Sequence, residues 1–175
     1  RALSRWKATA STAPNFAYGL CTARIRDEEL EDVDLQGWLL ALNGAEPVSP
    51  STLEAFCERF GPYGFQSKAL TPVYGLSEAA LAVTFSSLTE PYQTRNIKHG
   101  NRAMELVSVG RPLPGFEVQI REGGELLPEG AQGQIWVRGP STMQGYVGLP
   151  EESGKALVEG WLVTGDRGVV WAEDL

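Results

Sequence analysis

The sequence has little of what marks several functional classes of protein. It contains two cysteines and one histidine in 175 residues, and the cysteines show neither metal-ligand spacing nor a disulfide framework. Its basic residues are scattered and its formal net charge is −7, which excludes a nucleic-acid-binding surface. No apolar run approaches about 18 residues and no charged-then-apolar leader is present, so we expect no membrane span. Cys21 and Cys57 are expected to be buried free thiols in a reducing cytoplasm.

The most informative stretch is Tyr74-Gly75-Leu76-Ser77-Glu78. The run from Lys68 to Val73 predicts a strand, and Glu78 to Val83 predicts a helix with Ser77 at its N-cap. A loop between a strand and a helix start directs backbone N–H groups at an anion such as a phosphate. Glu78 can face phosphate oxygens through Mg²⁺, which one or two carboxylates hold together with phosphates. For these residues alone, an ordinary strand-turn-helix with an exposed glutamate is the alternative.

The first half of the chain has the pattern of an α/β unit with a parallel sheet. The run Trp38 to Leu42 is continuously apolar, which is typical of a strand covered on both faces, and it leads into Asn43-Gly44-Ala45-Glu46. Pro14 and Asn15 predict the start of a helix. A second helix begins at Ser49 and Pro50, since apolar residues then follow at helical spacing: Leu53, Phe56, Cys57 and Phe60.

The pattern in the second half of the chain predicts a small antiparallel β region with the form of a distorted barrel. Apolar and polar residues alternate in Phe116 to Arg121 and again in Gly133 to Arg138, and Gly123-Gly124 between them supplies a hairpin turn. A short helix is expected over 151–158, and a strand beginning at Trp161 is expected to turn at 164–166. We therefore predict three parts: 1–85 (α/β), 86–106 (a linker or insertion loop) and 107–175 (antiparallel β).

Four motifs in the same order resemble those of adenylate-forming enzymes, which join a carboxylic acid to AMP. They are Leu42-Asn43-Gly44-Ala45-Glu46-Pro47, Tyr74-Gly75-Leu76-Ser77-Glu78, Gln134 to Pro140 running on to Gly145-Tyr146, and Gly160 to Asp166. The segment Pro14-Asn15-Phe16-Ala17-Tyr18 is most similar to sequences of the fatty-acyl-AMP ligase branch. The resemblance covers nearly all of the chain.

The resemblance implies a role for each of the motif residues. Tyr74 would stack on adenine and Gly75 would let the backbone approach the nucleotide. Ser77 would bond near the α-phosphate and Glu78 would hold Mg²⁺, and these two are the candidate catalytic residues. Asp166 would accept hydrogen bonds from the ribose hydroxyls, although Thr-Gly-Asp alone is also typical of a turn residue that caps its own backbone.

Two further predictions concern the first half of the chain. By resemblance, the loop formed by Asn43, Gly44, Ala45 and Glu46 passes beside adenine and binds the nucleotide. Phe16 would line the tunnel for the acyl substrate, and the alternative is that Phe16 is an ordinary core residue.

The implied function is ATP-dependent and Mg²⁺-dependent activation of a fatty acid as acyl-AMP. The acyl group would then pass to the thiol of an acyl carrier protein, often in polyketide or lipopeptide assembly, or to coenzyme A as in long-chain acyl-CoA synthetases. We expect the chain to be a piece of a larger adenylation domain, since the phosphate loop and the C-terminal lysine of the family are not among its residues. The isolated piece is therefore expected to be inactive. A non-catalytic nucleotide-binding or interaction module of the same fold is the competing interpretation.

Overall fold

A computed structural model of the chain describes residues 1–99, 102–172 and 174–175. The α-helices are α1 (Ala2–Trp6), α2 (Asn15–Arg24), α3 (Pro50–Phe60) and α4 (Pro150–Ala156). The strands are β1 (Ala10–Pro14), β2 (Leu40–Gly44), β3 (Leu70–Tyr74), β4 (Thr84–Phe85), β5 (Thr94–His99), β6 (Arg102–Val107), β7 (Arg111–Pro112), β8 (Glu117–Glu122), β9 (Glu125–Leu126), β10 (Gly133–Arg138), β11 (Leu157–Val158) and β12 (Trp161–Gly168). In these ranges, no helix is both long enough and apolar enough to span a bilayer.

The chain divides into two compact units. Unit 1 consists of Arg1–Val73 and Ser86–Ser108, and unit 2 consists of Tyr74–Phe85 and Val109–Leu175. These boundaries differ from the predicted parts, because the segment after Val73 belongs to the second unit and the predicted linker belongs to the first. The three-part division of the chain stays a prediction.

Unit 1 contains the predicted parallel sheet. Strand β2 pairs in parallel with β1 on one side and β3 on the other. The strand begins at Leu40 rather than at Trp38, since the backbone N–H groups of Leu39 and Leu40 both donate to the Thr9 carbonyl. Trp38 lies in the core instead, and Leu39 is exposed. The α/β fold class is confirmed for this part of the chain.

Helix α3 forms as its sequence predicts and supplies the centre of the unit 1 core. The hydroxyl of Ser49 accepts a hydrogen bond from the Thr52 N–H at 3.4 Å, which caps the helix. The ring of Phe56 packs edge-on or tilted against four other aromatic rings at centroid distances of 4.5 to 6.0 Å: Tyr18, Trp38, Phe60 and Phe65. Cys21 and Cys57 are free thiols, half-buried rather than buried as expected.

Residues 94–107 correct the prediction of a polar loop. Strands β5 and β6 form an antiparallel hairpin, with Thr94 opposite Val107 and Ile97 opposite Met104. The side chain of Ile97 is buried. Backbone hydrogen bonds hold such a ladder whatever the side chains are, so a polar composition hid the strands. Gly100 and Asn101, which also fall in the predicted loop, lie outside the described residues.

Unit 2 contains the predicted antiparallel sheet, in the order β11-β12-β10-β8-β9. Alternate residues of its strands face a common apolar core that includes Ile120, Ile135, Val137 and Leu162. Gly123 and Gly124 connect β8 to β9 with φ of 59° and 89°, the left-handed backbone that a two-residue hairpin turn requires. The predicted short helix is α4.

We expect Phe56→Ala to destabilise unit 1 by about 3–5 kcal/mol, because it removes a buried ring and leaves a cavity among four others. Phe16→Ala is the matched control. Its ring is 62% exposed, so the same truncation is expected to change the stability by less than about 0.5 kcal/mol. Urea unfolding followed by circular dichroism measures both, and equal losses of stability in the two variants would contradict this assignment of the core.

Candidate functional site

The segment after Tyr74 folds into a tight loop and not into the predicted helix. A single 3₁₀ turn spans Ser77–Ala79, with Leu76 rather than Ser77 as its N-cap residue. Ala80 and Leu81 then adopt φ of 54° and 88°, which ends the turn. A run of about six residues is too short to nucleate a stable α-helix by itself. The structure therefore offers no helix dipole at this loop.

Gly75 allows this loop to close. A Cβ atom placed on Gly75 would lie 1.4 Å from the carbonyl oxygen of Leu81. The N–H of Val83 donates to the Tyr74 carbonyl at 3.0 Å, so the chain returns beside its own starting point. Tyr74 and Glu78 are consequently presented from one closed loop.

Asp166 lies in a bulge of strand β12 and not at the predicted turn. Gln134 pairs with Arg167 and Trp136 pairs with Val163, so three residues of β12 lie opposite Ile135 alone. Gly165 has a φ of 80° within this bulge. Extra residues of this kind re-aim a side chain, and here the re-aimed side chain is the Asp166 carboxylate.

Tyr74 and Asp166, which are 92 positions apart, are joined by a hydrogen bond. The Tyr74 hydroxyl donates to Oδ2 of Asp166 at 2.8 Å. Burial raises the pKa of Tyr74, and the neighbouring Asp166 carboxylate raises it further. The hydroxyl therefore keeps its proton at neutral pH and remains a donor. Unit 2 thus brings together two residues that the sequence assigns to one ligand.

Glu78 has a partner that the sequence analysis did not place in the site. The hydroxyl of Tyr146 donates to Oε1 of Glu78 at 2.8 Å. This hydrogen bond raises the pKa of Tyr146, so the donor stays protonated. Tyr146 ends the third sequence motif, and that position was the available signal. Ser77, the other candidate catalytic residue, is exposed on the same turn.

The residues around Glu78 fit Mg²⁺ and do not form a closed metal site. In the ranges that the structure describes, no group of three or more His, Cys, Asp or Glu side chains can hold an ion. Mg²⁺ usually takes one or two protein carboxylates and completes its shell with water and phosphate oxygens. The half-buried Glu78 carboxylate suits that mode, since Tyr146 occupies only Oε1.

In unit 1, the loop after β2 presents backbone rather than the Asn43 side chain. Asn43 is fully buried, and its amide donates to Oδ1 of Asn15 at 3.3 Å. Gly44 lies against β3, where an added Cβ would come within 2.8 Å of the Val73 carbonyl. Ala45 and Glu46 are exposed, and Ala45 has a φ of 67°. Asn15 was missed by the sequence analysis.

The structure overturns the interpretation of Phe16 as a core residue. Its side chain is 62% exposed in the chain, and that of Leu20 on the same face of α2 is 51% exposed. The opposite face of the helix buries Tyr18 instead. The backbone N–H of Phe16 donates to the Glu46 carboxylate, so Glu46 caps the start of α2. Phe16 and the loop after β2 are therefore neighbours.

The fold and the order of its motifs are those of a family of AMP-binding enzymes. The family model described as "AMP-binding enzyme" matches residues 1–147, and the chain belongs to that family. The proteins to which it is similar include fatty acyl-AMP ligases. A crystal structure of the L. pneumophila fatty acyl-adenylate ligase in complex with acyl adenylate and pyrophosphate is similar with a TM-score of 0.93 and 35% identity, over 99% of this chain and 34% of that one.

Similar proteins include two fatty-acid ligases and an acyl-CoA synthetase. A medium-chain-fatty-acid–[acyl-carrier-protein] ligase of Teredinibacter turnerae is 30% identical over 99% of this chain and 32% of its own length. A long-chain-fatty-acid–AMP ligase of Mycobacterium marinum is 34% identical over 91% of this chain and 32% of its own length. A putative acyl-CoA synthetase of Caulobacter vibrioides is 33% identical over 95% and 32%. The chain thus spans about a third of the length of these relatives.

We expect Gly75→Ala to destabilise unit 2 by more than about 3 kcal/mol, because the added methyl would overlap a backbone carbonyl that no rotamer change can clear. Gly154→Ala, in helix α4, is the control. Apart from its chain neighbours and the backbone of its own helix, no atom of the residues that the structure describes lies within 4 Å of its added Cβ. That variant is expected to be as stable as the wild type or more stable by about 1 kcal/mol. Urea unfolding measures both changes, and a Gly75→Ala variant of normal stability would show that the loop is open.

Proposed function

We propose that the protein containing this chain is an ATP-dependent fatty-acyl-AMP ligase. The observation that carries the proposal is the 2.8 Å hydrogen bond from the Tyr74 hydroxyl to the Asp166 carboxylate. It joins the residue that the resemblance assigns to adenine with the residue that it assigns to ribose. Both halves of one adenosine can therefore be met by residues of unit 2.

The proposed reaction needs positioning more than a protein nucleophile. An oxygen of the fatty acid carboxylate attacks the α-phosphorus of ATP. A bond forms between that oxygen and the phosphorus, and the bond from the α-phosphorus to the leaving pyrophosphate breaks. Two anions must approach each other, so charge around the phosphorus has to be neutralised and the reactants held in line. The exposed Ser77 hydroxyl would donate near the α-phosphate.

Asp166 is suited to hold the ribose. Its Oδ2 accepts the Tyr74 hydroxyl, and its Oδ1 accepts no hydrogen bond from the side chains and backbone that the structure describes. An ionised carboxylate oxygen can accept a ribose hydroxyl proton. The Tyr74 ring, held by the same hydrogen bond, then presents a face for stacking on adenine.

Glu78 is suited to hold Mg²⁺ when ATP is bound. Mg²⁺ held there would supply positive charge that offsets the negative charge of the phosphates. The chain's own part is to keep one carboxylate oxygen available in a half-buried place, and the Tyr146 hydroxyl occupies only the other. Glu78 is the metal residue of the proposal.

Unit 1 has proposed contacts of its own, which the resemblance implies. The exposed backbone of Ala45 and Glu46 would lie against adenine, with Asn43 and Gly44 shaping the loop from within. The exposed Phe16 and Leu20 side chains form an apolar face that suits an acyl chain. A cytoplasmic location, where ATP and reduced thiols are available, belongs to the same proposal.

The acceptor of the acyl group distinguishes the preferred function from its alternative. Relatives from Teredinibacter turnerae and Moorena producens are named acyl-carrier-protein ligases, whereas one from Mycobacterium tuberculosis is named a putative fatty-acid–CoA ligase. We propose the thiol of an acyl carrier protein, with coenzyme A as the alternative.

The full-length protein that contains this chain is expected to exchange pyrophosphate into ATP only when a fatty acid is present. It is expected to form a thioester with a phosphopantetheinylated carrier protein faster than with coenzyme A. Radiolabelled pyrophosphate exchange and mass spectrometry of the acylated carrier measure the two steps. Fast coenzyme A turnover would select the alternative, and no fatty-acid-dependent exchange would defeat the proposal.

Asp166→Ala in the same protein is expected to weaken ATP binding about tenfold to a hundredfold, because a charge-assisted hydrogen bond contributes about 1.5–3 kcal/mol. Glu125→Ala is the control, since Glu125 is an exposed carboxylate on β9 of the same unit. Isothermal titration with ATP compares the two variants with the wild type. An unchanged ATP affinity in Asp166→Ala means that the ribose assignment is wrong.

A further inference from the structure

Residues 141–146 of unit 2, here called the clamp segment, hold the turn that carries Glu78. The Ser141 hydroxyl donates to the Ala79 carbonyl at 2.8 Å, and the Met143 N–H donates to the Glu78 carbonyl at 2.6 Å. These two hydrogen bonds fix the backbone of the turn. The third, from the Tyr146 hydroxyl at 2.8 Å, reaches the carboxylate itself. Backbone and side chain of Glu78 are thus held from one segment.

The backbone of Tyr146 is also held in place. Its backbone N–H donates to the Ser153 hydroxyl at 2.8 Å, and that hydroxyl donates to the Leu149 carbonyl at 2.7 Å. Gly145 has a φ of 145°, and a Cβ there would come within 2.9 Å of the Ser153 hydroxyl. The Tyr146 ring therefore projects from a braced loop, although it is 38% exposed.

A neutral hydroxyl is the donor that suits a carboxylate waiting for a cation. A lysine or arginine at this place would fix the carboxylate and also cancel its charge. The Tyr146 hydroxyl fixes Oε1 and leaves the formal charge in place, so Oε2 can bind a divalent ion. Without the hydroxyl, the Glu78 side chain regains rotational freedom that ion binding must then remove.

We propose that Tyr146 is a positioning residue that orients the Glu78 carboxylate to receive the divalent cation of bound ATP. The inference rests on the proposed function, since it takes from it the role of Glu78. It assigns a role to Tyr146, which the sequence analysis did not place in the site, and it names the partner atom, Oε1 of Glu78. The expected signature is a change in cation affinity without a change in affinity for the fatty acid.

The test compares Tyr146→Phe with the wild type in the full-length protein that contains this chain. Two quantities are measured: the free Mg²⁺ concentration that gives half-maximal pyrophosphate release, and the Mn²⁺ dissociation constant by electron paramagnetic resonance with α,β-methylene-ATP present. Both are expected to rise about threefold to tenfold, because loss of a hydrogen-bond partner behind a metal ligand weakens metal binding. The KM for the fatty acid and the thermal midpoint are expected to stay unchanged.

Tyr92→Phe is the matched control, because Tyr92 packs beside the core of unit 1, whereas Glu78 belongs to unit 2. A double-mutant cycle with Glu78→Gln adds a second check. In the Glu78→Gln background, Tyr146→Phe is expected to change the Mn²⁺ dissociation constant by less than twofold, since the two residues act as one unit.

The outcomes separate this inference from the proposed function. Three results would each overturn the role of Tyr146. The first is a change under twofold in both measurements, and the second is an undiminished effect of Tyr146→Phe in the Glu78→Gln background. The third is a wild type that shows no nucleotide-dependent Mn²⁺ binding. A wild type that binds Mn²⁺ more tightly than Tyr146→Phe, and yet activates no fatty acid, would support the role of Tyr146 and refute the ligase.

Discussion

The close approach of two backbone segments at Gly75 is the constraint on which the candidate site depends. A Cβ atom on residue 75 would lie 1.4 Å from the Leu81 carbonyl oxygen. Because Gly75 has no Cβ, the chain after Tyr74 can turn back and run beside its own start. Leu81 accepts a φ of 88° in the same loop, a conformation that a branched side chain rarely adopts. Such strain persists only where the surrounding structure holds it, and it is concentrated at functional sites.

Two tyrosine–carboxylate hydrogen bonds involve this loop. The hydroxyl of Tyr74, on the loop, donates to Asp166, and the hydroxyl of Tyr146 donates to Glu78 on the loop. In each pair a neutral donor occupies one carboxylate oxygen and leaves the negative charge in place. A site for a nucleotide with its metal needs that combination, since it must present oriented acceptors to hydroxyls and cations. A lysine or arginine partner at either place would neutralise the carboxylate within the protein.

Local signals in the sequence were enough for several elements. Helix α3 followed from a capping serine and a proline ahead of apolar residues at helical spacing, which interact mainly within one element. The strands of unit 2 followed from two-residue alternation, and Gly123-Gly124 supplied the turn between β8 and β9. The family also followed from local patterns, because its motifs are short and stand in a fixed order.

The sequence by itself therefore determined the family, the parallel and antiparallel regions and the identity of the candidate residues, since each is encoded by neighbouring residues. The tertiary structure decided what those residues touch. Contacts across 62 to 92 positions hold the turn that stands in place of the predicted helix, join Asp166 to Tyr74 and join Tyr146 to Glu78. It also left Phe16 exposed, since α2 packs by its Tyr18 face. Such outcomes depend on which surfaces meet in the folded chain, and no local pattern records that.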